Sequence, residues 1–385
     1  MDLAGGGTVK ALALNAGSSS LKAALYGVEE GAALAAPPGV MWEGQVDWDP
    51  GDGGGAARAL LGHLPTDIAV VGHRIVHGAA DFDAPAPLTD EVKNEVRSLS
   101  ALAPLHNAAG LEGVAVAEEL FGDAAHVAVF DTAFHSGLAP AAHAYAGPHE
   151  WLERGLRRYG FHGINHEYAA HRAAHLLGRP LDGLRLITCH LGSGCSLAAI
   201  RDGRSVDTTM GFTPLEGVVM GTRSGSLDPG LILHLLREEG ASADDLGTLL
   251  NHGSGLRGLS GLSADLREVL AARDAGDERA ALAFDVYVHR LRFHLGAMLG
   301  SLGGLDAVVF TAGVGEHAAE VRAGALAPFA FLGVALDDER NAGAQPDCDV
   351  AADGSAVHVM VVRAQEEWAI ARSAVELVRK RMLVR

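Results

Sequence analysis

Short apolar runs punctuate a glycine-rich chain, and each ends abruptly at small or polar residues. Val9 to Asn15, Ile68 to Val76, Val127 to Phe130, Leu184 to Cys189 and Asp306 to Phe310 are runs of this kind. They read as short buried strands. Ala23 to Tyr26 and Leu197 to Ile200 read as strands returning after tight Gly/Ser loops, and Asp202-Gly203 as a two-residue hairpin turn. Helical spacing appears elsewhere. Ala108 to Leu120 and the stretch from about Glu366 to Lys380 read as helices. Phe284, Val288, Leu291, Leu295, Met298 and Leu302 step by three and four, which predicts one core-facing helical stripe. Leu256 to Arg267 reads as a loop entering a helix, and residues 29 to 66 give no clear element. Strands alternating with helices predict an α/β fold.

The polar residues at the ends of these runs carry the chemistry. Asp131 follows the strand Val127 to Phe130, and open α/β sheets bind ligands at the carboxyl ends of strands. Helix capping is the bland alternative for it. Alternation puts Arg74, Val76 and Gly78 on one face of their strand, with His73, Ile75 and His77 on the other. An Arg within an apolar strand needs an anionic partner, so Arg74 is a candidate anion grip beside an apolar wall. Thr208 to Gly225 has too many glycines and prolines for a helix and too little alternation for a strand. Its single basic residue, Arg223, lies between Gly-Thr and Ser-Gly, where backbone can approach a ligand while one guanidinium points at it. The turn Gly17-Ser18-Ser19-Ser20 before Lys22 can offer hydroxyls and amides to a phosphate, although no G-x-x-x-x-G-K-[ST] loop is present.

A repeat is visible. Gly17-Ser18 is matched by Gly192-Ser193, an offset of 192 − 17 = 175, and Val129-Phe130 by Val309-Phe310, an offset of 310 − 130 = 180. The two similar offsets predict a duplicated α/β unit, suited to a nucleotide-dependent phosphotransferase whose halves close on their substrates.

Composition narrows the class. A chain of 385 residues has room for two domains, and 50 glycines with no collagen-like period imply many tight loops. A formal charge of −18 argues against nucleic acid or an anionic membrane as partner, though not against an anionic substrate in a locally basic cleft. Cys189, Cys195 and Cys348 form no C-x-x-C pair, and the first residues lack a basic start and apolar run; both predict a reducing, cytoplasmic setting.

The motifs taken together resemble the acetokinase family, within the acetate and sugar kinase, heat-shock protein 70 and actin superfamily. They are Asn15-Ala16-Gly17-Ser18-Ser19-Ser20-Leu21-Lys22, Gly72 to Gly78, Phe130 to His135, Tyr159 to Gly163, His190 to Gly194, Asp207 to Gly225 and Thr311 to Glu316. They follow the family's order and span nearly the whole chain. The resemblance implies two duplicated actin-like (ribonuclease H-like) α/β domains around a cleft. It places them at 8–134 and 135–369, with the helix from about 370 to 385 packing back on the first. It implies reversible transfer of the ATP γ-phosphoryl group to acetate, with Mg²⁺ or Mn²⁺, by a homodimer.

The resemblance also implies roles. Asn15 and Glu366 would hold the metal. Lys22, the loop His190, Leu191, Gly192, Ser193 and Gly194, the segment Asp265, Leu266 and Arg267, and the segment Gly313, Val314, Gly315, Glu316 and His317 would hold the nucleotide. Arg74, Asp131, His162 and Arg223 would surround the transferred phosphoryl, and Arg74, Val76, Leu105, Phe161 and Pro214 would hold the acid. Ser193 and His317 stand where the family usually has Asn, Gln365 where Asn usually precedes the Glu pair, and Ala79 where a second Gly follows His77-Gly78. A propionate kinase, or an actin- or chaperone-like ATPase with no small acceptor, would share much of this pattern.

Overall fold

The computed structural model describes residues 7–17, 20–47, 53–99 and 104–383, without the side chains of 104–106. The chain forms two compact units. One comprises residues 1–136, 161–172 and 365–385, the other residues 137–160 and 173–364.

The first unit is built on six strands: β1 (Val9–Ala16), β2 (Ser20–Val28), β3 (Trp42–Asp47), β4 (Val70–Ile75), β5 (Ala86–Pro87) and β6 (Ala125–Phe130). They lie in the order β3-β2-β1-β4-β6-β5. The pairs β1–β4 and β4–β6 are parallel, and β2, β3 and β5 join antiparallel. One face packs Leu12, Leu14, Leu25 and Val71 against Leu61 of the helix Gly55–Leu61, Ala117 of the helix Pro104–Leu120 and Phe121 just beyond it. The helix Glu366–Leu383 packs against β1, β2 and β4. Gly72 makes that packing possible, since a Cβ there would stand 2.8 Å from Ile370 Cγ2.

The second unit repeats the plan with β7 (Arg185–Leu191), β8 (Cys195–Arg201), β9 (Arg204–Thr208), β10 (Ala307–Thr311), β11 (Cys348–Asp349) and β12 (His358–Val361). Their order is β11-β12-β10-β7-β8-β9. Strand for strand, β7, β8 and β9 answer β1, β2 and β3, while β10 and β12 answer β4 and β6. The duplication is therefore present, and the Gly17/Gly192 match falls on equivalent hairpins. The Val129/Val309 match does not: it sets β6 against β10, whose true counterpart is β4. A few identities at a strand end carried too little information to fix the equivalence.

The stripe Val288, Leu291, Leu295, Met298 and Leu302 is buried on the helix Glu278–Leu302, and Phe284 is half-buried under Arg273. Asp202 and Gly203 both have positive φ, as a type I′ hairpin turn requires. Three segments are more structured than their composition predicts. The stretch 29–66 holds β3 and the helix Gly55–Leu61. The stretch read as a loop from Leu256 contains the helix Gly255–Ser260. Residues following Thr311 form the helix Ala312–His317. β3 escaped because it is a half-exposed edge strand, with Glu43, Gln45 and Asp47 alternating outward.

Candidate active site

In the first unit, parallel pairing lines up three strand ends. Asn15 is the penultimate residue of β1 and lies opposite Lys22 on β2. Arg74 follows His73, which pairs with Leu14 across β1–β4. Asp131 follows Phe130 at the end of β6, and its amide continues the ladder to the Ile75 carbonyl. Three polar side chains thus emerge side by side at the carboxyl ends of parallel strands, where α/β sheets bind ligands.

These side chains form one chain of hydrogen bonds. Arg74 donates through Nε to Asp131 Oδ2 at 3.0 Å, with Nη2 on the same oxygen, and through Nη1 to Asn15 Oδ1 at 3.2 Å. Asn15 Nδ2 donates to Glu366 Oε2 at 2.8 Å and to Glu367 Oε1 at 3.0 Å. The two glutamates open the helix Glu366–Leu383, where the helix dipole favours negative charge. Burial alone would lower the Arg74 pKa, but Asp131, Glu366 and Glu367 outweigh it and hold the guanidinium charged. Burial raises the Glu367 carboxyl, Glu366 raises it further, and Asn15 and Lys22 oppose the shift.

His162 and Phe161 are sewn to the same place. The Gly163 amide donates to the Asp131 carbonyl at 2.9 Å. A Cβ on Gly163 would stand 2.2 Å from that oxygen, so only glycine fits. The preceding His162 has φ 57, a left-handed conformation unusual for a side-chain-bearing residue. Phe161 is buried and meets the edge of the His77 ring at 5.3 Å. Val76 is buried beside His77 in sequence. The His77 backbone is gripped on both sides by Asn107, whose Oδ1 accepts its amide and whose Nδ2 donates to its carbonyl, each at 3.1 Å. The Gly78 amide is held by Thr132 Oγ1. Leu105 has its side chain outside the described residues.

Among the described residues no group of three or more His, Cys, Asp or Glu could hold a metal by itself. Asn15 meets Glu366 through its amide nitrogen, and the donors the pair could give a cation are oxygens, Asn15 Oδ1 (now on Arg74) and the Glu366 carboxylate. That set fits a hard cation such as Mg²⁺, which keeps waters and phosphate oxygens as most of its ligands.

In the second unit, three of the segments expected to hold nucleotide converge. A Cβ on Gly192 would lie 3.7 Å from Ala312 Cβ. The Gly221 amide donates to the Ser193 carbonyl at 3.2 Å, and a Cβ on Gly221 would lie 3.0 Å from the Ala264 carbonyl, just before Asp265. Asp265 caps the helix Leu266–Asp274 and pairs with the exposed Arg267. Glu316 accepts the Ala364 amide at 2.8 Å. Arg223 closes a turn through its carbonyl with the Met220 amide. It also opposes the burial that pushes the Cys195 thiol up to about 11. Pro214 belongs to the same loop.

Glu367, the second member of the Glu pair, and two arginines without a local sequence signal also join these networks. Glu367 shares Asn15 with Glu366. Buried Arg322 donates to the Gly315 and Glu316 carbonyls at 2.8 and 3.0 Å, closing the helix Ala312–His317. Arg158 donates to the carbonyls of Thr208, Thr209 and Met210 and pairs with Glu216. A cavity of about 520 Å³ lies elsewhere, against Phe284, Val288, His289 and Arg290, and is lined by none of the expected site residues.

Comparison with known proteins bears on this arrangement. Residues 58–372 match the acetokinase family model. Acetate kinase of Gloeobacter violaceus is 49% identical, covering 97% of this chain and 100% of that protein. Acetate kinase of a Nostoc species is likewise 49% identical, with coverage of 97% and 100%. Among solved structures, Porphyromonas gingivalis acetate kinase superposes with a TM-score of 0.83 at 36% identity, covering 96% of this chain and 100% of that one. A propionate kinase from Francisella tularensis superposes with a TM-score of 0.85 at 34% identity, covering 96% and 99%. A match over most of the chain, at this identity and with this fold, means that the chain belongs to the acetokinase family.

Proposed function

We propose that this chain is an acetate kinase, a phosphotransferase with a carboxyl acceptor. It moves the γ-phosphoryl group of ATP to acetate, giving acetyl phosphate and ADP, and runs in either direction. The observation that carries this reading is the near full-length match at 49% identity to proteins named acetate kinase. The fixed, charged Arg74 among carboxylates in the first unit supports it.

The chemistry follows from charge. Acetate is ionised at neutral pH, because carboxyl groups titrate near pH 4, so no general base is needed. One carboxylate oxygen forms the new bond to phosphorus while the bond to the ADP oxygen breaks and ADP keeps the electron pair. The difficulty is concentrating negative charge, which Arg74, His162 and Arg223 offset by donating to the acid and the phosphoryl oxygens. Asp131 orients Arg74 rather than taking a proton. Asn15 and Glu366 would hold a divalent ion, Mg²⁺ or Mn²⁺, which would supply further neutralisation of phosphate charge. Lys22, the loop 190–194 and the segments at 265–267 and 313–317 hold the nucleotide, while Val76, Leu105, Phe161 and Pro214 form the apolar wall for the methyl group. We place the enzyme in the cytoplasm as a homodimer on the family resemblance; among the described residues no helix is long and apolar enough to cross a membrane.

The likeness to a propionate kinase structure favours one second reading, a preference for the three-carbon acid. Trapping acyl phosphate as the hydroxamate with ATP and a panel of acids tests both. Signal dependent on acetate supports the proposal, greater efficiency with propionate supports the second reading, and ATP hydrolysis indifferent to any acid overturns both.

A further inference from the structure

The loop 208–217 is built around the guanidinium of Arg158. Its Nη1 donates to the carbonyls of Thr208, Thr209 and Met210 at 3.1, 3.1 and 2.9 Å, and its Nη2 to Glu216 Oε1 at 2.7 Å. The other Glu216 oxygen accepts from the Tyr145 hydroxyl at 2.6 Å. That hydroxyl in turn accepts the Phe212 amide at 2.8 Å. Burial and Glu216 both raise the Tyr145 pKa, so the phenol remains a donor. The loop is closed where Gly217 approaches Thr209; a Cβ on Gly217 would lie 2.9 Å from the Thr209 carbonyl. Gly211 is confined by the same network, since a side chain there would overlap Glu216 and Tyr145. Ser226 exchanges bonds with Gly217 and ties the ring to the segment that carries Arg223.

Arg158, Glu216 and Tyr145 together fix the backbone on both sides of Pro214. The ion pair is sheltered, with Arg158 17% and Glu216 32% exposed, and each charge is satisfied by more than one partner. An arginine that donates to three consecutive carbonyls templates a turn rather than a surface contact. We infer that Arg158, Glu216 and Tyr145 are positioning residues that set the acid-side loop and so help fix which carboxylate fits. The inference rests on the reading of the chain as a short-chain carboxylate kinase, with Pro214 on the acid.

Arg158→Ala removes four hydrogen bonds and is expected to unfold the loop, so milder variants are the test. Tyr145→Phe keeps the ring and loses one hydroxyl; Glu216→Gln keeps the size and loses the charge. Steady-state constants for acetate, propionate and ATP would be measured in the wild type and both variants, with folding checked by circular dichroism. The wild type must first form acyl phosphate; if it does so with no acid, the functional reading fails. With an active wild type, Tyr145→Phe is expected to raise KM for acetate roughly 3- to 10-fold, the scale of one hydrogen bond. Glu216→Gln is expected to raise it about 10- to 100-fold, because Arg158 loses its counter-charge. In both, the acetate-to-propionate ratio of kcat/KM should fall while KM for ATP moves less than about twofold, as expected for loss of pocket fit rather than of transition-state charge. Folded variants with unchanged acid constants and ratio, or with ATP constants shifted as much as acid constants, overturn the inference.

Discussion

Arg74 and Asp131 meet through a single carboxylate oxygen: Nε and Nη2 of the guanidinium both point at Asp131 Oδ2, leaving Nη1 for Asn15. The pair is sheltered, with side chains 14% and 2% exposed. This geometry holds the cation rigid without consuming all of its donors. It also makes the pair vulnerable. Arg74→Met should destabilise the protein by about 3–5 kcal/mol, because Asp131 is left buried and uncompensated. Adding Asp131→Asn should recover much of that loss while activity stays low. Urea denaturation of the two variants checks this; equal stabilities would mean that the Asp131 charge is solvated after all.

Arg74 and Asp131 were legible because each sits inside or at the end of a strong apolar run, where a polar residue stands out; Asn15 was reached only through the family motif. Arg158 was not, because its partner Glu216 lies 58 residues away and neither interrupts an apolar pattern. Glu367 stands beside Glu366, and two adjacent acids at a helix start look alike in sequence; the fold shows Asn15 reaching both. The false equivalence of β6 with β10 has a related cause. Strand ends share small and aliphatic residues whatever their position, whereas equivalence is set by order in the sheet.

Arg223 is expected to act on the phosphoryl group. Arg223→Ala should lower turnover by on the order of 10³–10⁵, as for other charge-stabilising arginines. That is roughly 4–7 kcal/mol of barrier. Nucleotide affinity, measured by calorimetry, should change little. A drop under about tenfold in a folded variant would remove Arg223 from the chemistry.

The metal assignment distinguishes the two glutamates on Asn15. Glu366→Gln should raise the Mg²⁺ concentration needed for half-maximal activity strongly. Glu367→Gln should raise it far less, and because burial and Glu366 already raise the Glu367 pKa, neutralising it should not harm stability. Mg²⁺ titration alongside thermal melting separates the cases. Identical Mg²⁺ curves for both variants would refute the choice of Glu366.

A buried histidine pair predicts acid sensitivity. His73 Nε2 and His126 Nδ1 are 3.0 Å apart, and His126 Nε2 lies 3.1 Å from the Phe121 carbonyl. With both rings neutral, His126 donates through Nε2 to that carbonyl and accepts at Nδ1 from His73 Nε2. Burial lowers both pKa values, each ring aided by a neighbouring cation or imidazole, while Glu118 opposes the shift at His126. The sign follows. Below about pH 6.5 the unfolded chain binds protons that the folded chain does not, so stability falls as pH falls. Each histidine contributes up to about 1.4 kcal/mol per pH unit until its folded pKa is reached. Denaturation at pH 7.5, 6.5 and 5.5 should show this slope, and His126→Gln should lessen it; an unchanged slope in the variant would exclude His126 as its source.

We expect the choice of acid to turn on Val76. It follows Ile75, the last residue of β4, and is only 3% exposed. Arg74 two residues earlier is the proposed grip on the charged end of the acid, so Val76 is placed to meet its carbon end. The backbone beyond it is fixed, by Asn107 on His77 and by Thr132 on Gly78. Shortening the side chain should therefore leave space rather than let the strand end collapse. Valine is branched and stiff, so it should admit a methyl group and crowd an ethyl. One methylene in an apolar pocket discriminates by roughly 10- to 200-fold, about 1–3 kcal/mol. Acetate should accordingly be used better than propionate, and butyrate hardly at all. Val76→Ala should close much of the gap, mainly through a lower KM for propionate, at a modest cost in stability from the lost packing. The measurement is kcat/KM for both acids in both proteins. If the ratio does not move toward propionate while the variant remains folded, Val76 is an ordinary core residue and acid size is set elsewhere in the site.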